Sequence, residues 1–325
     1  MSAQPKAAAG SRSQIVTLDN FARAETDMYF GAFVKAGGIG KLVHTRTLAD
    51  IDHQTVVRMN RDTIYSNGVF DLDAGPVAIS LPDTGRRFMS MQVVNQDHYA
   101  LEVVYGPGTF TYGKEKVGTR YVAFIIRTLA NPEDAGDMKA ANDVQDKITS
   151  QQAARGNWEA PNWDEESQEK IREALKTLST CEYSGARFGT KDEVTPIAHL
   201  IGAAIGWGGN PDYAAVYQGE FPRANDDGTV HRLTVKDVPV DGFWSVSVYN
   251  ENGFFEKNAR NAYSLNSLTA KPDATGATTI QFGGCTEKSN NCLPIPKGWN
   301  YTVRLYRPRK EILDGTWKFP AAKPL

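Results

Sequence analysis

Seven consecutive residues, Asn60-Arg61-Asp62-Thr63-Ile64-Tyr65-Ser66, set an amide, a guanidinium, a carboxylate, two hydroxyls and a phenol side by side. Arg61 is a rigid fork of donors suited to a carboxylate or a phosphate. Asp62 and Thr63 bond readily to local backbone and can shape a turn. In one reading Arg61 is an anion clamp, with Asp62 and Tyr65 as proton-transfer groups. In the other, the run is a polar network that satisfies buried backbone where two domains meet. The residues by themselves leave both readings open.

Two C-terminal blocks fit either picture. Tyr263, Ser264 and Asn266 follow an irregular, Asn-rich stretch. In Trp299–Tyr306 the alternation puts Thr302, Arg304 and Tyr306 on one strand face. An arginine flanked by a threonine and a tyrosine suggests a polar-lined mouth where a ligand sits. The alternative is an exposed face whose long side chains lie along the surface. His98 has suggestive company in Asn95-Gln96-Asp97-His98-Tyr99, because a carboxylate beside an imidazole can fix its tautomer for acid–base work. Adjacent strand residues point to opposite faces, however, and a polar loop explains the segment as well. His199 falls in an apolar helical stretch and reads as structural.

Recognised reaction motifs are missing. GTFTYGKE, Gly108–Glu115, nearly matches the phosphate loop GxxxxGK[ST], but Glu115 stands where a hydroxyl must hold magnesium. It reads as a hairpin turn. There is no GxGxxG after a strand, no GxSxG and no HExxH. The three cysteines have neither CxxC spacing nor a neighbouring histidine. The sequence implies no metal site and no cofactor.

The elements that must position these groups follow from periodicity. Residues 17–42 carry Leu18, Phe21, Met28, Phe30 and Phe33 on one broad stripe, which predicts a helix ended by Gly37-Gly38. From Asn60 to about Leu129 the period becomes two, in short runs bounded by Gly, Pro, Asp and Asn. That spacing predicts an antiparallel sandwich. Helices are expected over 133–152, 164–180 and 194–206. From Tyr213 onward strands return, with Asn225–Gly228 as a hairpin turn. The expected fold class is mainly β with a helical region. The expected divisions are a disordered leader (1–16), an N-terminal helical segment (17–58), a β-sandwich domain (59–130), a helical insert (131–211) and a second β domain (212–325).

Bulk composition narrows the partners. With 325 residues the chain exceeds a single core, so two domains are expected. The net charge is −2, from 36 basic and 38 acidic side chains, which argues against nucleic acid or an anionic membrane surface as partner. No run approaches 18 apolar residues, so no membrane span is expected. A small-molecule ligand and a homo-oligomer stay open. Cys285 and Cys292 lie in a polar, Asn-rich loop between two strand-like runs, where a disulfide suits the surroundings better than two buried thiols. A bridge points to the periplasm or exterior. Two free thiols, and a start without the apolar core of a signal peptide, fit the cytoplasm.

A resemblance emerges from longer blocks. MNRDTIYSNGVFDLDAGPVAISLPD with MQVVNQDHY resembles the bacterial domain-of-unknown-function family 1254. VPVDGFWSVSVYNENGFFEKNARNAYSLNS with NCLPIPKGWNYTVRLYRPRKEILDGTWKFP resembles family 1214, its usual C-terminal partner. IGAAIGWGGNPDYAAVY is similar to the link between them. The resemblance implies an immunoglobulin-like sandwich, a helical region and a jelly-roll-like sandwich. Many members carry signal sequences. The resemblance implies no activity and assigns no catalytic residue.

Two functions follow as expectations. An enzyme, a hydrolase being one form, would hold a small polar or anionic molecule between the domains with Arg61, Tyr263, Asn266, Arg304 and Tyr306. Asp62, Tyr65 or His98 would move protons, and these groups would converge on a pocket. A non-catalytic ligand- or carbohydrate-binding protein, or an oligomeric envelope protein, would instead expose Trp158, Trp163 and Trp207 on a groove or a subunit contact.

Overall fold

The computed structural model describes residues 13–54 and 57–325. The first half runs α1 (Phe21–Lys35), β1 (Val43–Thr45), β2 (Thr63–Asp71), β3 (Val77–Leu81), β4 (Met89–Asn95), β5 (Ala100–Val104), β6 (Gly108–Tyr112), α2 (Lys114–Val117) and β7 (Tyr121–Leu129). Next come α3 (Ala135–Gln145), β8 (Thr149–Gln152), α4 (Glu165–Leu178) and α5 (Pro196–Gly206). The last part runs β9 (Ala215–Glu220), β10 (His231–Val235), β11 (Trp244–Tyr249), β12 (Ser264–Asn266), β13 (Thr278–Phe282), β14 (Cys292–Leu293), β15 (Asn300–Tyr306), α6 (Lys310–Leu313) and β16 (Lys323–Pro324).

The chain is mainly β, with four sheets and several helices. The N-terminal unit stacks a five-stranded sheet, β1-β2-β7-β4-β5, on a three-stranded one, β6-β3-β8. Val77, Ile79, Met91, Val93, Phe124 and Ile126 fill the space between these sheets. Fully burying each such side chain contributes about 1.5–3 kcal/mol. The C-terminal unit pairs the sheets β12-β11-β15-β9 and β14-β13-β10-β16 around Trp244, Val246, Ile280, Phe282, Trp299 and Val303.

Strands β4 and β7 are buried along their whole length, so both faces of the five-stranded sheet are covered. One face packs on the smaller sheet. On the other, Phe30 of α1 meets Val69, Tyr121 and Ala123. Helix α1 stops where Gly37 takes φ 93°, a left-handed turn that glycine adopts without strain. Helices α1, α4 and α5 share a further cluster with Val16, Phe21, Leu175 and Ile201.

Several expectations need correction. The period of two sets in later than Asn60: β2 starts at Thr63, inside the polar run. The segment 131–211 is not purely helical, because residues 149–152 form β8 and pair with β3. Asn225–Gly228 joins β9 to β10, which lie in different sheets, so it is a crossover loop and not a hairpin. GTFTYGKE is strand β6 running into the single turn α2, whose Lys114 pairs with Asp73. Of the expected leader, residues 1–12 lie outside the described residues, while Gln14 bridges to Trp163 and Val16 is buried. Among the described residues of 17–58, helix is confined to α1. The three tryptophans form no open groove: Trp207 stacks on Tyr29 at 4.4 Å, Trp158 packs on Tyr121, and Trp163 joins the helical cluster. Cys285 and Cys292 are disulfide-bonded, with Cα atoms 5.7 Å apart.

Candidate functional site

The two β units meet through polar faces. In β15 and β11, Val303, Leu305 and Val246 point into the C-terminal core, which turns Thr302, Arg304, Tyr306, Ser245 and Ser247 the other way. That face is buried although it is polar. What covers it is the chain from Arg58 to Tyr65.

Arg304 is 3% exposed. Its guanidinium donates to Ser247 Oγ at 3.0 Å, to Tyr249 Oη at 2.7 Å and to the Arg58 carbonyl at 2.8 Å. Tyr249 in turn donates to the Met59 carbonyl at 2.8 Å. Burial works against the charge of Arg304, but Tyr249, Tyr306 and Asp62 outweigh it and raise the pKa above the ordinary arginine value. Arg58, in a left-handed conformation at φ 53°, donates to Asn300 Oδ1 at 2.6 Å. Asn60 closes the seam: Nδ2 donates to Tyr306 Oη at 2.8 Å, and Oδ1 accepts the Asp62 amide at 2.7 Å.

Asp62 is fully buried. Its Oδ1 accepts from Asn266 Nδ2 at 3.1 Å, and its Oδ2 accepts no hydrogen bond. Burial raises its pKa, with Arg304 pulling the other way. Asn266 spends its own Oδ1 on the Leu268 and Thr269 amides. Ser66 is buried against His44 Nδ1 at 2.7 Å and Gln145 Nε2 at 3.1 Å. Tyr65 is half-buried on β2, with the Arg127 guanidinium 5.7 Å from its ring centre.

His98 lies elsewhere. It is 3% exposed, its Nε2 accepts the Gly208 amide at 2.9 Å, and it stacks on Trp207. Burial and the neighbouring His199 push its pKa down to about 3, so it is neutral at physiological pH. Gly208 ties it to the seam only indirectly, through a carbonyl that accepts from Arg127 at 3.0 Å. Asp62, Tyr65 and His98 therefore do not surround one reacting atom.

Arg61 turns away from the seam. Its guanidinium donates to the Ala49 carbonyl and lies 5.3 Å from the centre of the Tyr263 ring. Among the described residues it has no carboxylate within ion-pair distance. It lines an open cleft of about 560 Å³ with Thr47, Asp50, Asp52, Lys257, Asn261 and Tyr263. The acids of this cleft are already engaged, Asp52 by Lys257 at 2.6 Å and Asp50 by His53 at 2.7 Å. One wall comes from residues 47–52 and the other from the loop before β12, so the cleft opens between the two β units.

The structure thus divides the predicted residues. Asn266, Arg304 and Tyr306 join Asp62 in the seam, Arg61 and Tyr263 line the cleft, and His98 belongs to neither. Arg127, Arg58 and Lys257 escaped the sequence reading. Arg127 was detectable: it is the one charge in the apolar strand YVAFIIRTL. Among the described residues no helix is long and apolar enough to cross a membrane, and no cluster of three or more His, Cys, Asp or Glu side chains could hold a metal ion.

Comparison with known proteins finds a family match within each unit. Residues 39–116 match the family described as Protein of unknown function (DUF1254), and residues 215–310 match Protein of unknown function (DUF1214). No curated protein matches the chain. Among solved structures, the VPA0106 protein of Vibrio parahaemolyticus is similar, with TM-score 0.73 and 18% identity over 95% of this chain and 97% of that one. A putative uncharacterized protein of Burkholderia cenocepacia is similar with TM-score 0.55 and 12% identity, over 95% and 87%. At these identities the likeness concerns the fold.

Proposed function

We propose that the chain is a non-catalytic binding protein for a small, hydroxyl-rich anion, held in the cleft between its two β units. The observation that carries this reading is Arg61: a half-buried guanidinium, 5.3 Å from the centre of the Tyr263 ring, with a hydrogen bond to the Ala49 carbonyl and, among the described residues, no carboxylate within ion-pair distance. A guanidinium fork so placed fits a carboxylate or a phosphate. Around it, Thr47 and Asn261 offer donors and acceptors to hydroxyl groups. The two β units, as immunoglobulin-like and jelly-roll-like sandwiches, act in this reading as rigid walls. The enzyme reading is weaker, because the acid–base candidates Asp62 and His98 are buried away from the cleft. The Cys285–Cys292 bridge suits a periplasmic or secreted setting.

Calorimetric titration of the full chain with gluconate and with glucose 6-phosphate tests the proposal. Saturable binding to wild type, weakened about 10- to 100-fold in Arg61→Gln as expected for a lost charge-assisted hydrogen bond, supports it. Equal affinity in the two proteins, or no heat with either probe, contradicts it.

A further inference from the structure

Arg127 sits near the end of β7 and is 6% exposed. Its guanidinium donates to Gln92 Oε1 at 2.9 Å, to Asn210 Oδ1 at 3.3 Å and to the Gly208 carbonyl at 3.0 Å. All three acceptors are neutral, and among the described residues no carboxylate lies within ion-pair distance. Buried charges are as a rule paired, because desolvation without a counter-charge is among the most expensive arrangements in a fold. Arg304 differs in this respect, since the charge of Asp62 reaches it.

The surroundings of Arg127 are phenolic. The guanidinium lies 5.7 Å from the centre of the Tyr65 ring. Its acceptor Asn210 donates through Nδ2 to Tyr217 Oη at 2.8 Å, and Tyr306 stands on the same sheet face as Tyr217, which pairs with Arg304. Burial opposes the charge of Arg127, while Tyr65, Tyr217 and Tyr306 raise its pKa. Tyr217 is 40% exposed and Tyr65 half-buried, so the cluster reaches water at its rim although the guanidinium does not. The nearby Tyr105 hydroxyl is buried and bonds to nothing.

We propose that Arg127, with the hydroxyls of Tyr65, Tyr217 and Tyr306, receives the carboxylate of a small monoanion at the junction of the two β units. A phenol can donate to an oxyanion, and a guanidinium supplies the charge, so the cluster is built for an acceptor-only group. One uncompensated cation calls for one negative charge. The closed setting favours a small acid without hydroxyl groups. This site shares no residue with the Arg61 cleft and stands independently of the function proposed for that cleft.

Melting midpoints of the full chain in chloride, acetate, benzoate and phosphate at equal ionic strength test the assignment. Acetate or benzoate should raise the wild-type midpoint in a concentration-dependent way. Arg127→Gln should abolish the rise, and Arg61→Gln should leave it intact. Because Arg127→Gln risks misfolding, Tyr65→Phe provides the second variant. It removes one oxygen atom and should weaken the apparent affinity about tenfold, as for one charge-assisted hydrogen bond. No rise in wild type, a rise unchanged in Tyr65→Phe, a rise lost in Arg61→Gln, or a rise with phosphate alone would each overturn the proposal.

Discussion

Asp62 is a carboxyl group with one oxygen bonded to Asn266 and the other bonded to nothing, at full burial. Desolvation therefore raises its pKa in the folded chain. Between the unfolded value and this higher one, the folded chain binds more protons than the unfolded chain, so stability falls as pH rises through that window. Asp62→Asn removes the charge and keeps an oxygen for Asn266. The melting curve of the variant should lose this part of the pH dependence. An unchanged pH dependence would show that Asp62 is not the buried acid responsible. His98 behaves in the opposite sense. With its pKa near 3 in the fold against an ordinary 6.5, the unfolded chain binds the extra proton, so stability is lost as pH drops from about 6.5 to about 3. The loss amounts to at most about 5 kcal/mol. His98→Asn tolerates the left-handed backbone at φ 67° and should flatten this acid limb. An unchanged limb would show that His98 is not the buried base responsible.

At the scale of elements, β2 anchors Arg61 and Asp62, which lie just before its first residue, because it is pinned on both edges. It pairs with β7 over nine residues and with β1 over three. At Gly68 the chain from Lys41 crosses so closely that a Cβ would lie 2.4 Å from the Lys41 carbonyl oxygen. Gly68→Ala should destabilise the protein by roughly 1–3 kcal/mol through this overpacking, measured by urea denaturation. A stability equal to wild type would show that the crossing segment is free to move and does not hold the cleft wall. The period-two runs made these strands readable from the sequence, and the charge pattern of DEESQEKIREALKTL did the same for α4. Strand β8 was not readable, because its polar residues Thr149–Gln152 show no alternation of hydrophobicity and owe their conformation to pairing with β3. The crossover at Asn225–Gly228 was misread for a related reason: turn composition reveals a change of direction but not the sheet that the next strand enters. The role of Arg304 was half readable. Its strand face could be assigned, but the Arg58 and Met59 carbonyls that occupy it lie some 245 residues away in sequence.

At the scale of the whole molecule, two β units with polar facing surfaces are welded by a seam in which most donors find partners across the junction. Phe243 stacks on Tyr306 at 4.2 Å and Phe88 packs beside them, which closes an apolar edge around the polar contacts. Two arginines that look alike in sequence differ in their surroundings: Arg304 is bonded across the seam, whereas Arg61 lines the open cleft in which the proposed ligand would sit. Urea denaturation of wild type, Arg61→Gln and Arg304→Met, each with and without gluconate, tests this difference most directly. Removing Arg304 leaves Ser247, Tyr249 and the Arg58 carbonyl short of a donor and should cost about 3–5 kcal/mol while the folded fraction still responds to gluconate. Arg61→Gln should cost about 1 kcal/mol or less and lose the gluconate response. Comparable losses of stability in the two variants, with the gluconate response intact in Arg61→Gln, would contradict the account.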